Sequence, residues 1–313
     1  MHAQVCASDD LDAIITANDW SALNPFNRSF WMQKLASCRA IARGAGRALR
    51  NPRELARLTT VRPEELERRY EREVRDLFDT LPRAVCIEGI VGADLGTLNT
   101  FSFLDDTSTV LDLLLLRGLV RRTEGCHYFE IGTFRGESAI AVADEASEVV
   151  TLSLSDDDLL SLGFDRSFVA AHRVFSDGSP RIHHIFGDSG SFDVAPFLGW
   201  ADVLFIDGDH TRNAVERDTR RFLPVIRPGT GVVVWHDAFL SPLRPRWEVL
   251  AGIGAALTVD QRKALVHVAN TLAVALLPFA GDLPTTELSY VPTTVFSVAV
   301  KARQMNMERD HQH

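Results

Sequence analysis

A doubly wound α/β fold with a mostly parallel sheet is what this 313-residue sequence predicts, and three features predict it. Short runs rich in Val, Ile and Phe recur between residues 127 and 235, as strands buried on both faces require. Stretches with helical spacing, notably residues 137–146 and 212–226, separate them. Four of these five runs then end in glycine or acid, at the place where open α/β sheets bind ligands.

Along the chain, the region to about residue 83 reads as helical and polar. Thr60-Val61-Arg62-Pro63-Glu64-Glu65 has Pro and acids where a helix starts. The charged run 64–79 carries Leu66, Tyr70, Val74 and Leu77 as one apolar stripe, which suits packing on a neighbour or a lid. Residues 84–107 read as loop and 109–122 as a helix. Candidate strands are 127–131, 149–152, 181–186, 203–206 and 232–235. In helix 212–226, Val215, Phe222, Leu223 and Ile226 share a face, and Arg227-Pro228-Gly229 ends it. A Pro-rich stretch follows Asp237, then a helix over 247–270. Two late strands, 271–277 and 294–301, have no crossover helix between them, so they are expected to pair antiparallel at one edge.

The formal net charge of −9 argues against a general binder of nucleic acid or anionic membrane, although Arg is concentrated between Arg39 and Arg75. Cys6, Cys38, Cys86 and Cys126 form no CxxC pair and read as reduced thiols of a cytoplasmic protein. The acidic start MHAQVCASDDLDAI does not read as a signal peptide. Asp112 and Arg117 interrupt the longest apolar run, 110–120, which is too short to span a bilayer.

The strand tips carry the chemistry. After the first comes YFEIGTFRGESA, in which Glu130 leads Gly132 and Gly136. GxGxxG and a Walker lysine are both absent, and a leading carboxylate suits a cofactor with positive charge rather than phosphate. A tight strand-to-helix turn explains the same glycines equally well. The third strand ends in Gly187-Asp188-Ser189, the fourth in Asp207-Gly208-Asp209-His210 and the fifth in His236-Asp237. Each acid alone reads as a helix cap; three of them with two histidines on one rim read as a site. His127, His183 and His184 fall in strands and read as structural, whereas His172 and His267 fall in expected helices.

The series EIGTFRGESA, GDS, FIDGDHT and RPGTGVVVWHDAF resembles class I S-adenosylmethionine-dependent methyltransferases. It is closest to the branch with the IDGDH…PGG…HD pattern, which includes antibiotic-tailoring O-methyltransferases. The resemblance implies a Rossmann-like seven-stranded sheet over residues 109–302, with a C-terminal antiparallel pair. Residues 1–108 would be a helical or lid region and 303–313 a disordered tail. It places Glu130, Gly132 and Gly136 on the methionine and ribose side of S-adenosylmethionine, and Asp188 and Ser189 at the adenine. Ser153 stands where the family has an acid for the ribose, a role Asp156 or Asp157 could take instead. By the same resemblance Asp207 and Asp237 hold a divalent cation, expected to be magnesium, and His210 is the general base. Relatives without a metal share these motifs, and Ala238 stands where some metal-dependent ones carry an Asn ligand. The implied activity is methyl transfer to a hydroxyl of a small molecule in secondary metabolism. An N-methyltransferase, a non-catalytic binding protein and a homo-oligomer stay open.

Overall fold

The computed structural model describes residues 63–304. Cys6, Cys38, the helix start at 60–62 and most of the expected tail lie outside them. Helix α1 (Pro63–Leu77) opens the described chain and is followed by strand β1 (Arg83–Val85), α2 (Ile87–Val91) and α3 (Val110–Arg121). Then come β2 (His127–Ile131), α4 (Glu137–Val142), β3 (Glu148–Ser153), α5 (Asp156–Ser161), α6 (Arg166–Ala171) and β4 (Ile182–Phe186). Strand β5 (Val203–Ile206), α7 (Arg212–Phe222) and β6 (Val232–Trp235) complete the parallel part. A small ribbon, β7 (Phe239–Ser241) with β8 (Arg244–Pro245), precedes α8 (Trp247–Ala256), α9 (Val259–Ala264), β9 (Leu265–Val268) and β10 (Val274–Leu276).

The sheet runs β1-β9-β10-β6-β5-β2-β3-β4. Strand order reverses at β2, whose neighbours β3 and β5 lead in opposite directions. The fold is therefore Rossmann-like and doubly wound, with β10 antiparallel to both neighbours. Successive side chains of each strand go to opposite faces. Tyr128, Val203 and Phe205 pack beneath α2, α3 and α4, and Phe129, Leu204, Ile206 and Trp235 beneath α1, α7 and α8. The stripe on α1 is a packing face: Val74 is buried, and Tyr70 and Leu77 lie against the second core.

Four expectations are corrected. The sheet has eight strands rather than seven, because Arg83–Val85, expected as loop, pairs parallel with β9. A three-residue strand is too short to show alternation and is defined only by its partner. The helix expected over 247–270 breaks at Leu257, where Thr258 starts α9 with a reciprocal capping box to Gln261. The antiparallel pair is β9 with β10, not 271–277 with 294–301, and it lies inside the sheet. Asn270, at φ 65°, supplies the left-handed turn between them, and residues 294–301 form no strand. His267 accordingly lies in β9, stacked on Phe239 with ring centroids 3.7 Å apart. No helix among the described residues is long and apolar enough to cross a membrane.

Candidate active site at the strand tips

Strands β2, β5 and β6 are in register, so Ile131, Ile206 and Trp235 sit side by side and their next residues form one rim. Gly132, Asp207 and His236 are those residues. The backbone is tight here. Gly132 has φ 90°, and a Cβ on it would fall 2.1 Å from the Asp207 carbonyl oxygen. Gly136, at φ 80°, heads α4 with no room for a side chain over Ser176 Oγ. Both glycines are therefore required by neighbouring protein.

Six side chains meet on the β5–β6 side. His210 Nε2 lies 3.3 Å from Asp207 Oδ1 and 3.2 Å from Asp237 Oδ2. His236 Nδ1 lies 3.2 Å from Asp207 Oδ1 and 3.4 Å from Asp237 Oδ1, while its Nε2 is 3.2 Å from Asp112 Oδ2. Arg246 donates to Asp237 Oδ2 at 2.9 Å. Asp237 has φ 53°, a conformation costly for a non-glycine and typical of functional sites. Burial alone would depress the His236 pKa, but Asp207, Asp237 and Asp112 outweigh it and hold the imidazolium well above its ordinary range. Burial would likewise raise Asp207; His236 and His210 overcome it and keep the carboxylate ionised.

The β2–β3 side differs. Glu130 is fully buried, accepts from the Tyr128 hydroxyl at 2.8 Å and leaves Oε1 without a hydrogen-bond partner. Burial pushes its pKa up to about 8; Ser138 and Tyr128 work against this, and the Asp207 charge adds to it. Thr133 Oγ1 and Ser153 Oγ are also buried and unpartnered. The Gly132 amide donates to the Leu152 carbonyl at 2.9 Å, which joins the glycine loop to the tip of β3. Buried polar atoms are rarely left unpaired without reason, so this group suits a polar ligand.

The structure thus brings Asp207, His210 and Asp237 together and sets Glu130, Gly132 and Ser153 alongside. Asp188 and Ser189, at the next tip, make hydrogen bonds within the protein. Asp188 Oδ1 accepts from the Gly190 amide, and Ser189 Oγ donates to buried Asp218 at 2.9 Å. Asp209 similarly accepts from the Thr211 amide ahead of α7. Asp156 is held by His172 at 3.0 Å and Arg173 at 3.1 Å, leaving its other oxygen open; Asp157 is exposed. Sequence reasoning counted His236 among the rim histidines but gave it no role, and it missed Asp112 and Arg246. Asp112 did leave a signal, as an acid inside an apolar helical run; Arg246 left none.

For a divalent cation, Asp207, His236 and Asp237 each offer a ligand atom, all within 4.8 Å of one another. Two carboxylates and an imidazole form a donor set that fits such an ion. Ala238 is buried and offers no donor.

Residues 129–238 match the family model described as a methyltransferase domain. Among solved structures, a Podospora anserina methyltransferase bound to S-adenosylhomocysteine is 18% identical, with a TM-score of 0.38 over 60% of this chain and 83% of its own. An O-methyltransferase from Bacillus cereus in complex with S-adenosylhomocysteine is also 18% identical, with a TM-score of 0.36 over 66% of this chain and 90% of its own. No curated protein matches the chain.

Proposed function

We propose that this chain, whose residues 129–238 match a methyltransferase-domain model, moves a methyl group from S-adenosylmethionine to a hydroxyl of a small molecule, with His210 as the base. The observation that carries the reading is the meeting of His210 with two carboxylates beside the glycine loop. With two carboxylate oxygens against Nε2, the tautomer that carries its proton there is favoured, which would leave Nδ1 as the basic nitrogen.

Glu130, the backbone of residues 132–136 and Ser153 would hold S-adenosylmethionine, with Asp188 and Ser189 toward the adenine. Its sulfonium supplies an activated methyl that needs no acid to leave. Asp207, Asp237 and His236 would hold a divalent cation, whose charge would acidify the acceptor hydroxyl. His210 then takes the hydroxyl proton on Nδ1, and the two carboxylates stabilise the imidazolium that forms. Arg246 keeps Asp237 oriented for this.

The acceptor is proposed to enter beside α1 and α8. Arg246 adjoins Trp247, which lines a cavity of about 160 Å³ with Val74, Arg75 and Phe78. Glu73 on α1 also accepts from Arg212 at the start of α7, 2.6 Å away, tying the helical N-terminal region to this side.

Calorimetric titration with S-adenosylhomocysteine and with NAD tests the cofactor. NAD binding with no response to S-adenosylhomocysteine would remove the whole reading. Exhaustive chelation should suppress turnover, and an added divalent cation should restore it; full activity after chelation retires the metal. Tight cofactor binding with no turnover on any acceptor would leave a binding protein.

A further inference from the structure

We propose that the Asp207–His236–Asp237 cluster selects a first-row transition-metal dication over magnesium, with His236 as the third ligand and Asp112 as the carboxylate that aims it. The inference rests on the metal reading above. The carboxylates alone would suit magnesium, which is a hard ion that prefers oxygen donors and keeps several waters. The third donor is not oxygen. Oδ1 of Asp207 and Oδ1 of Asp237 both face His236 Nδ1, at 3.2 and 3.4 Å, and imidazole nitrogen favours iron, nickel, copper or zinc. Ala238, on the far side of Asp237, contributes nothing that would restore an all-oxygen set.

The other ring nitrogen is also provided for. Metal-binding histidines usually donate their second N–H to a carboxylate or carbonyl, which fixes the ring and the tautomer. Here that partner is Asp112 Oδ2, 3.2 Å from Nε2. Asp112 is 1% exposed, in a helix otherwise buried through leucines, and its remaining contacts are backbone amides of Thr109 and Leu272. With Nε2–H given to Asp112, an ion arriving between the two aspartates would displace the proton on Nδ1 and take its lone pair, so that binding releases a proton. Asp112 is thus a positioning residue. Arg246 and His210 contact Oδ2 of Asp237, which leaves Oδ1 for the ion.

The test is equilibrium dialysis of the metal-stripped full chain against cobalt(II), nickel(II) and magnesium, read by elemental analysis. Pulsed electron paramagnetic resonance of the copper(II)-loaded protein serves as a second readout. Wild type should prefer cobalt and nickel to magnesium and show imidazole nitrogen coupling. His236→Gln should lose roughly 10–100-fold in cobalt affinity with magnesium little changed. Asp112→Asn should lose roughly 10-fold or more in cobalt affinity while S-adenosylhomocysteine affinity stays put, which a purely structural role would not produce. The nitrogen coupling needs no variant, so the proposal stays testable if one fails to fold. A bound cation with no nitrogen coupling and an unchanged preference in His236→Gln overturns this assignment and leaves the metal reading standing. Methyl transfer with no cation bound at any concentration overturns both.

Discussion

The rim carried by β5 and β6 and the rim carried by β2 and β3 treat their polar atoms in opposite ways. On the first, Asp207, His210, His236, Asp237, Asp112 and Arg246 contact one another at 2.9 to 3.4 Å. Each carboxylate there faces an imidazole or a guanidinium. On the second, Glu130 Oε1, Thr133 Oγ1 and Ser153 Oγ are buried without a hydrogen-bond partner. A mutually satisfied cluster is already organised for proton transfer. A set of unpaired atoms instead raises the energy of the free protein and is relieved by a ligand that supplies donors and acceptors. On the proposed reading, binding and chemistry are divided between adjacent strand tips, and each can be perturbed separately.

The two rims touch at Gly132, and the largest effect is expected there. Gly132→Val should cost several kcal/mol, roughly the sum of overpacking and left-handed strain, because its Cβ collides with the Asp207 backbone. Thermal unfolding should show a lower midpoint together with lost cofactor binding. A stable variant that merely fails to bind would mean the glycine serves ligand approach alone.

His210→Ala breaks only the organised rim. Turnover should fall by roughly 10²–10⁴, the usual contribution of a positioned base, with cofactor affinity retained. The pH–rate limb that reports imidazole ionisation should vanish. A fully active variant retires the base.

Glu130 sharpens the contrast through pH. Its carboxyl rises from 4.5 to about 8 on folding, so the unfolded chain sheds this proton first. The folded state is favoured below pH 4.5, and that advantage is lost progressively as pH rises toward 8, at about 1.4 kcal/mol per unit in the limit. Glu130→Gln should therefore gain stability over wild type as pH increases from 5 to 8, read by denaturant titration at several pH values. A constant difference across that range would mean Glu130 is already ionised in the free protein.

Ser153→Ala should have the smallest effect. Removing an unpaired hydroxyl should leave the free protein as stable or slightly more so, while weakening cofactor binding by about 1 kcal/mol, one hydrogen bond. Unchanged binding would take Ser153 out of the ribose site.

Much of this was legible in the sequence, and the limits have physical causes. Strands β2, β5 and β6 follow directly from their apolar runs, because burial on both faces leaves little room for other residues. Asp207, His210 and Asp237 were legible because local spacing places them at tips. His236 was hidden by its own position. It reads as the end of a strand, and only the fold shows a carboxylate from α3 behind it. Arg246 reaches Asp237 through the β7–β8 ribbon, whose register no periodicity announces. Strands β1 and β9 were missed, and β10, expected within 271–277, was given the wrong partner, because short strands acquire identity from partners far away in the chain.

That distance bears on how the protein is made. Strand β1 pairs with β9, and Arg83 donates to the Leu283 carbonyl, 200 positions later. At about 5–20 residues per second of synthesis, β1 leaves the ribosome many seconds before the strand it needs exists. For that interval its backbone groups have only water or wrong partners, and pairings so distant in sequence form slowly in any case. The edge of the sheet that the chain writes first is thus among the last to be closed, and a chain halted before Leu265 would carry Asp207, His210, His236 and Asp237 with the flank of β6 unsealed.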